Sequence, residues 1–389
     1  MKKDDNMIAD RMKVVTGSAT VKLSQTVAQM RKQGIDVVSF SLGEPDFDTP
    51  RNVSDAAIKA INSGVTHYTP AAGIAELREA IAEKSRKENK IPCEAKHVMA
   101  TPTKFALYAT IMATINPGDE VIIPDPSWVS YSEMVKLAGG KPVLVPHEKG
   151  WRWNPKDVAK AVTPKTKMIM LNSPSNPTGA VYSKEDIKAI AEIAKQKNLL
   201  VLSDEIYEKI IYEGEVFSIA SLPGMFERTI TVNGLSKSFA MTGWRVGWLI
   251  APETLFPEIL KMQEHVMTCV TSFVQNAALE ALKGPQDSVK LMAETFKKRR
   301  DLILKLVNEI PGFHCDAPKG AFYVFPRYDY DVPSDKFCEF LLKEGRVAVT
   351  PGSAFGPSGE KHVRISYAAS EKNIIEGMKR IKETVAKLK

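Results

Sequence analysis

The feature that most constrains this chain is a regular alternation of predicted helices and short apolar strands between residue 101 and about residue 249. Parallel strands must be joined by crossover connections, which are usually helices. The alternation therefore predicts a largely parallel sheet covered by helices on both faces. The length of 389 residues also leaves room for a second, smaller domain.

The predicted elements follow from apolar periodicity, capping residues and β-branched runs. The helices are expected at residues 21–33, 52–62, 74–89, 105–115, 183–197 and 370–388. The strands of the sheet are expected at 120–123, 142–145, 167–171, 199–202 and 229–232.

The C-terminal third has a different organisation. Residues 253–308 are predicted to be helical with a break at Lys283-Gly284-Pro285. Beyond them, strand candidates at 321–325, 346–349 and 362–366 accompany a helix at 334–343, which indicates a small α+β domain completed by the N-terminal segment. We expect an N-terminal arm and part of the small domain in residues 1–50, a large domain in 51–285 and the small C-terminal domain in 286–389.

Charge and composition exclude several classes of function. The net charge of +7 comes without a basic block interleaved with aromatic residues, so we expect no nucleic-acid partner, although an anionic small ligand would fit. No run approaches the ~20 apolar residues of a membrane span. The basic N-terminus has no apolar stretch behind it, which favours a soluble, cytoplasmic protein. The four cysteines form no CxxC pair, so no metal site is expected.

Polar clusters follow three of the predicted strands. They are the segment 172–179 (NSPSNPTG), the segment 203–207 (SDEIY) and the segment 233–245 (NGLSKSFAMTGWR). In open α/β sheets, ligands bind beyond the carboxyl ends of the strands. These clusters are therefore the first candidates for a functional site.

At these positions the sequence resembles the class I aminotransferases, which are pyridoxal-phosphate (PLP) enzymes of the aspartate aminotransferase fold. The resemblance covers essentially the whole chain and rests on six segments in the family's order. They are SLGEPDFDTP (41–50), YTPAAGIAELR (68–78), NPTG (176–179), SDEIYE (203–208), SKSFAMTGWRVG (236–247) and VRISYA (363–368). The resemblance implies PLP fold type I, with a mainly parallel sheet of seven strands, and a homodimer.

The resemblance also implies roles around the cofactor ring. Lys237 matches the Schiff-base lysine, whose amine can also move the substrate proton. Asp204 matches the carboxylate that keeps the pyridine nitrogen protonated. Asn176 and Tyr207 match the donors to the phenolic oxygen, and Trp128 matches the aromatic residue stacked on the ring.

For the phosphate, the resemblance implies the backbone N–H groups of Thr103 and Lys104 at a helix start, together with Arg245. Tyr68 resembles the tyrosine that reaches the phosphate of the neighbouring subunit. The chain departs from the family at two positions. Pro102 stands where a small residue is usual, and Gly234 stands where other branches have a phosphate-binding serine.

For the substrate, Arg364 matches the arginine that pairs with the α-carboxylate, and Gly43 matches a backbone contact to the same group. Asn176 and Trp128 are expected to contact the substrate as well. Lys104 resembles the lysine that one branch of the family uses for a distal carboxylate. Ser18 and Thr20 resemble the hydroxyl groups that line the same pocket.

Four functions compete on this sequence. Transamination of aspartate with 2-oxoglutarate is the first interpretation. An aminotransferase for aromatic or neutral amino acids, or a PLP β-lyase, would share every cofactor residue. A nicotinamide-dependent oxidoreductase lacks support because no GxGxxG follows a strand candidate. A PLP-sensing regulator domain would need a DNA-binding module that the short N-terminal segment does not provide.

Overall fold

The structure is a computed structural model and describes residues 7–388. Its helices are α1 (Ala19–Lys32), α2 (Arg51–Asn62), α3 (Ala75–Glu88), α4 (Thr103–Thr114), α5 (Ser130–Leu137), α6 (Pro155–Ala161), α7 (Lys184–Gln196), α8 (Phe256–Val266), α9 (Ser272–Lys283), α10 (Asp287–Asn308), α11 (Ser334–Gly345) and α12 (Glu371–Val385). Its strands are β1 (Val38–Ser39), β2 (Val98–Thr101), β3 (Glu120–Asp125), β4 (Lys141–Pro146), β5 (Thr166–Asn172), β6 (Leu200–Asp204), β7 (Thr229–Gly234), β8 (Gly247–Ile250), β9 (Phe313–His314), β10 (Tyr323–Val324), β11 (Arg327–Tyr328), β12 (Val347–Ala348), β13 (Thr350–Pro351) and β14 (Val363–Ser366).

The central sheet has seven strands in the order β2-β8-β7-β6-β5-β3-β4. Strands β3 to β7 run parallel to one another, whereas β8 is antiparallel to both β7 and β2. This arrangement confirms the predicted, mainly parallel sheet. The short connection between β7 and β8, residues 235–246, returns the chain without a crossover helix and carries Lys237.

Two apolar layers enclose this sheet because side chains alternate along its buried strands. Ile122 and Val201 pack on the face covered by α6 and α7. Ile123 and Leu202, one residue further along each strand, pack on the face covered by α4, α5 and α8. No helix in residues 7–388 is long and apolar enough to cross a membrane.

A smaller α+β unit joins segments from the two ends of the chain. Strand β1 pairs in parallel with β12, and β10, β14 and β13 form an antiparallel sheet. Strands β9 and β11 form a further antiparallel pair. The small unit built from both ends is thus confirmed as part of the fold class, whereas the domain boundaries near residues 50 and 285 remain a prediction.

The structure differs from the predicted elements in three respects. Strands β2 and β8 were not predicted, since four-residue strands carry little periodicity. The C-terminal strand candidates are shorter, with 321–325 reduced to β10 and 346–349 reduced to β12. The helical region breaks at Gly284 as predicted and again between α8 and α9, where the N–H groups of Met267 and Thr268 both donate to the Gln263 carbonyl at 2.8 Å. This second break contains neither glycine nor proline.

Candidate active site

A cavity of about 610 Å³ lies where β5 and β6 end, at the carboxyl edge of the sheet. Its volume is in the range of small-molecule sites. Of the residues predicted from sequence, those that line it are Thr20, Gly43, Thr103, Lys104, Trp128, Asn176, Asp204, Tyr207, Lys237, Arg245 and Arg364. Tyr68 lies outside the cavity, with 84% of its surface exposed. The cavity therefore brings together residues that are more than 300 positions apart in the sequence, such as Thr20 and Arg364.

Lys237 projects from the connection between β7 and β8, and its Nζ donates to the Gly43 carbonyl at 2.5 Å. Burial lowers the pKa of Lys237 to about 8. The guanidinium groups of Arg364 and Arg245 also lower this pKa, whereas the carboxylates of Glu44 and Asp204 raise it. The amine is therefore more easily deprotonated near neutral pH than an ordinary lysine.

Asp204 is the last residue of β6 and is only 4% exposed. Its Oδ2 accepts from the Tyr131 hydroxyl at 2.8 Å, and its Oδ1 accepts from the Ile206 N–H at 3.2 Å. Burial nevertheless raises the pKa of Asp204 to about 6. A cationic N–H placed beside this carboxyl would reverse that effect, because an opposite charge favours the ionised form.

Two asparagines, Asn172 at the end of β5 and Asn176 just after it, organise the next part of the cavity. The Asn172 amide donates to the Asp204 carbonyl at 3.0 Å, while its Oδ1 accepts from the Asn176 N–H at 2.9 Å. The Oδ1 of Asn176 in turn accepts from Arg364 Nη1 at 3.0 Å. The amide nitrogen of Asn176 consequently remains available as a donor.

Tyr207 is buried, and its hydroxyl lies 2.8 Å from that of Tyr323. Burial raises the pKa of Tyr207 well above its ordinary value, so the phenol stays protonated. Tyr323 also explains the glycine at position 43. A Cβ on Gly43 would lie 2.5 Å from the Tyr323 hydroxyl oxygen, which is too close for any side chain.

Arg364 lies on β14 and is 2% exposed. Besides Asn176, its guanidinium donates to the Ser41 carbonyl at 2.7 Å and lies over the rings of Tyr323 and Phe355, at 4.6 and 5.0 Å. Its Nε has no hydrogen-bond partner, and it forms no salt bridge with the described residues. A buried cation without an anion is costly, so the site is suited to a carboxylate.

The start of α4 forms the opposite end of the cavity. Pro102 precedes it and provides no side-chain cap, so the first N–H groups of the helix are left for another acceptor. The Lys104 ammonium lies 4.7 Å from the Trp128 ring centre, and both burial and the nearby Arg245 guanidinium lower its pKa. The Lys104 ammonium, the Arg245 guanidinium and the uncapped N-terminus of α4 together favour binding of an anion at this end of the cavity.

The position of Thr103 explains why residue 234 is glycine, where other branches of the family have a phosphate-binding serine. Its hydroxyl donates to the Asn233 carbonyl at 3.2 Å. A Cβ on either Gly234 or Gly247 would lie 2.4 Å from the Thr103 hydroxyl oxygen. The threonine thus occupies the space that a side chain at position 234 would need.

Helix α1 closes the cavity on one side. Thr20, Val21, Ser24, Gln25 and Ala28 line it from successive turns of this helix. The Thr20 hydroxyl lies 2.9 Å from that of Ser18, which itself does not line the cavity.

The sequence interpretation missed Tyr131 and Tyr323, and it selected the segment that contains Asn172 without giving that residue a role. Tyr131 lies three residues after Trp128 in the sequence DPSWVSY (125–131), and Asn172 is the last residue of β5. Both residues lie just beyond or at the end of a predicted strand, so proximity to the predicted ligand edge could have identified them. Tyr323 carried no such signal, because it lies in a short strand of the smaller unit.

Comparison with known proteins gives consistent matches. A profile described as "Aminotransferase class I and II" matches residues 35–381. An aspartate aminotransferase of Pyrococcus abyssi is 45% identical, over 98% of this chain and 99% of that protein. An aromatic-amino-acid aminotransferase of Thermococcus litoralis is 44% identical, over 98% and 99%. The solved structure of aspartate aminotransferase from Thermus thermophilus with maleate has a TM-score of 0.93 at 41% identity, covering 97% of this chain and 99% of that one.

Proposed function

The chain belongs to the class I and II aminotransferases, which are PLP-dependent enzymes, and on that basis we propose that it transfers the amino group of L-aspartate to 2-oxoglutarate. The products would be oxaloacetate and L-glutamate, formed in two half-reactions of a ping-pong mechanism. The observation that carries the proposal is a single cavity in which Lys237, Asp204 and Arg364 meet. The relatives named aspartate aminotransferase support the choice of substrate.

The residues fit PLP at both ends of the cavity. The uncapped start of α4, with Lys104 and Arg245 beside it, suits a phosphate group. Asp204 suits a protonated ring nitrogen, because its buried carboxyl has a raised pKa that a neighbouring cation would lower. Asn176 and Tyr207 are proposed to bind the phenolic oxygen, and Trp128 the face of the ring.

When bound, PLP supplies an electron sink that stabilises negative charge at the substrate Cα. Lys237 would carry the proton between Cα and the cofactor, since its pKa near 8 lets Nζ both accept and release a proton near neutral pH. Asp204 would hold the proton on the ring nitrogen. Tyr131 would orient Asp204 through its hydrogen bond to Oδ2.

Arg364 is proposed to bind the substrate α-carboxylate. Its planar guanidinium can donate two parallel hydrogen bonds, and its contacts with Asn176 and the Ser41 carbonyl fix its orientation. Gly43 would leave room for the same carboxylate. Lys104, with Thr20 nearby, would bind the distal carboxylate that distinguishes aspartate from neutral amino acids.

An aminotransferase for aromatic or neutral amino acids is the second candidate. It is favoured by apolar residues that share the cavity wall, namely Val21, Leu42 and Leu107, and by the relative named aromatic-amino-acid aminotransferase. A β-lyase would use the same cofactor residues.

The proposal includes a homodimer with shared active sites. Tyr68 is exposed and outside the cavity of its own chain, which would leave its hydroxyl to reach the phosphate site of a second copy. Ile58 and Ile61 of α2 are also exposed and would be covered in such an interface.

We also propose a cytoplasmic location. All four cysteines, Cys93, Cys269, Cys315 and Cys338, are free, which is usual in a reducing compartment.

Absorbance spectroscopy of the PLP-loaded enzyme tests the proposed substrate. Aspartate, glutamate, alanine and phenylalanine would be added separately, and loss of the visible band of the lysine-bound cofactor would identify each amino donor. We expect the band to disappear with aspartate and glutamate. If the band disappears with phenylalanine or alanine but not with aspartate or glutamate, an aminotransferase for aromatic or neutral amino acids becomes the favoured function.

A further inference from the structure

Residues 352–359, here called loop 352–359, follow β13 in the smaller unit. The base of this loop is closed within that unit, because the Gly352 N–H donates to the His362 carbonyl at 2.9 Å. Its outer part, by contrast, contacts the end of β3 in the large sheet. Loop 352–359 therefore joins the two units of the fold.

Asp125, the last residue of β3, binds this outer part through its side chain. Its Oδ2 accepts from both the N–H and the hydroxyl group of Ser358, at 3.1 and 2.8 Å. Gly356 packs so closely that a Cβ there would overlap Asp125 Oδ1, and its φ of +130° also favours glycine. The Asp125 side chain is buried, and its Oδ1 has no hydrogen-bond partner among the described residues. Burying such a carboxyl costs free energy, which the two hydrogen bonds from Ser358 only partly offset.

Phe355 lies between this contact and the substrate site. Its carbonyl accepts from the N–H of Ser127, two residues after Asp125, at 2.9 Å. Its ring centre lies 5.0 Å from the Arg364 guanidinium carbon and 5.9 Å from the Phe325 ring centre. Neither Phe355 nor Asp125 lines the cavity, whereas Arg364 does. An effect of Asp125 on a bound carboxylate therefore passes through Phe355 and Arg364.

We propose that Asp125 is a positioning residue for the substrate α-carboxylate: it docks residues 355–358 onto the end of β3 and thereby sets the Phe355 ring against Arg364. The face of an aromatic ring attracts a guanidinium group without using its hydrogen-bond donors. Arg364 can therefore keep the orientation in which it donates two parallel hydrogen bonds to a carboxylate. The inference rests on the proposed role of Arg364 but not on the identity of the amino donor, since every α-amino acid carries this carboxylate.

The contacts that fix the cofactor side of the same segment are separate. Trp128, directly after Ser127, lines the cavity. The backbone carbonyl of Asp125 accepts from the His147 N–H at 3.0 Å and lies 2.9 Å from His147 Nδ1. A substitution of the Asp125 side chain retains this carbonyl, so the affinity for PLP should change much less than the affinity for the substrate.

Single-turnover measurements on the PLP-loaded enzyme test the proposal. Loss of the visible band is followed at increasing concentrations of L-aspartate and, separately, of L-phenylalanine. Each donor that reacts gives a half-saturation concentration and a limiting rate. Asp125→Ala should raise the half-saturation concentration by about 5- to 30-fold and leave the limiting rate within about threefold, because a contact that serves ground and transition states equally affects binding alone. Every reacting donor should be affected by the same factor.

Two further variants of this contact define the cause. Asp125→Asn keeps an oxygen acceptor for Ser358, so its half-saturation concentration should stay within about threefold of the parent value. Ser358→Ala removes one of the two hydrogen bonds, and an increase of about 2- to 5-fold is expected. This variant also provides a second test if Asp125→Ala fails to fold.

Glu120→Ala is the matched control. Glu120 is the first residue of β3, at the opposite end of the strand from Asp125, and it is also buried. Its Oε2 accepts from the Thr163 hydroxyl at 2.6 Å. The control variant should lower the melting temperature and leave the half-saturation concentration unchanged.

An unchanged half-saturation concentration in Asp125→Ala, or an equal increase in Glu120→Ala, would overturn the proposal. Equal increases in Asp125→Asn and Asp125→Ala would overturn it as well, since the charge and not the docked loop would then matter. Equal losses of PLP and substrate affinity in Asp125→Ala would assign the residue to the whole site and also refute the inference.

Arg364→Lys separates failure of this inference from failure of the proposed function. A normal half-saturation concentration in Arg364→Lys would refute the proposed carboxylate site and this inference with it. A normal value in Asp125→Ala, together with an increased value in Arg364→Lys, would refute the inference alone.

Discussion

Replacing Lys104 with alanine separates the two candidate substrate classes. The Lys104 ammonium lies 4.7 Å from the Trp128 ring centre at the start of α4, and it forms no salt bridge with the described residues. If it binds the distal carboxylate of aspartate, the variant loses one charge-assisted hydrogen bond for acidic substrates only. Alanine and phenylalanine, which lack that carboxylate, should react almost as before.

The size of the effect follows from the geometry. A hydrogen bond to a charged group contributes about 1.5–3 kcal/mol. No protein carboxylate has to be displaced from Lys104, so most of that free energy is available to the substrate. At about 1.4 kcal/mol per tenfold, kcat/KM for aspartate should fall by about 10- to 100-fold, with a higher KM. The Lys104 side chain is partly covered by the site but still open to solvent, which favours the lower half of this range.

The assay measures kcat/KM with aspartate, glutamate, alanine and phenylalanine at saturating PLP. Lys184→Ala is a matched control, because Lys184 is also at a helix start and lies 4.9 Å from the Phe217 ring centre, outside the cavity. The control should leave all four values within about twofold of the parent enzyme. An equal loss for acidic and neutral substrates in Lys104→Ala would refute the reasoning, since Lys104 would then serve only the cofactor.

Four further predictions concern other residues. Lys237→Ala should lower transamination by several orders of magnitude, and borohydride should no longer fix PLP at the site, as mass spectrometry would detect; retained turnover would contradict its role. Asp204→Asn should slow proton removal from Cα in single-turnover absorbance measurements, and an unchanged rate would place the ring carboxylate elsewhere. Mixing inactive Tyr68 and Lys237 variants should restore activity in heterodimers, so no recovery after verified subunit exchange would argue against shared sites. Burial raises the pKa of Glu205 to about 7, so this residue should destabilise the fold as pH rises from about 4.5 to 7. Relative to Glu205→Gln, the parent should lose up to about 3 kcal/mol of unfolding free energy over that range. Urea titrations measure both proteins, and a difference in unfolding free energy that does not change with pH would refute the prediction.

The parallel part of the sheet was predictable because the apolar periodicity of the sequence marks its strands and the helices that connect them. Strands β3, β5, β6 and β7 are largely buried, the edge strand β4 is half-buried, and all five are separated by recognisable helices or turns. Strand β8 is different, since it pairs antiparallel with two strands that precede it in sequence. Such pairing depends on contacts made after collapse and leaves little local signal.

The candidate site was predictable where a motif names its residues, as for Lys237 and Arg364. The supporting contacts were not, because they join distant segments. Tyr131 reaches Asp204 across 73 residues of sequence, and Tyr207 reaches Tyr323 across 116. No spacing rule encodes such pairs, so their discovery requires coordinates.

Thr103 lies against both Gly234 and Gly247, and this packing limits which substitutions the site can accept in evolution. A serine at position 234 would place its Cβ 2.4 Å from the Thr103 hydroxyl oxygen, so Thr103 would have to move or change to accommodate it. Shrinking Thr103 first would open a gap beside Gly234 and Gly247 and remove the hydrogen bond to the Asn233 carbonyl. The effect of a substitution at position 234 therefore depends on the residue at position 103, and a chimera that takes a serine at 234 from another branch must change position 103 with it while keeping Gly247.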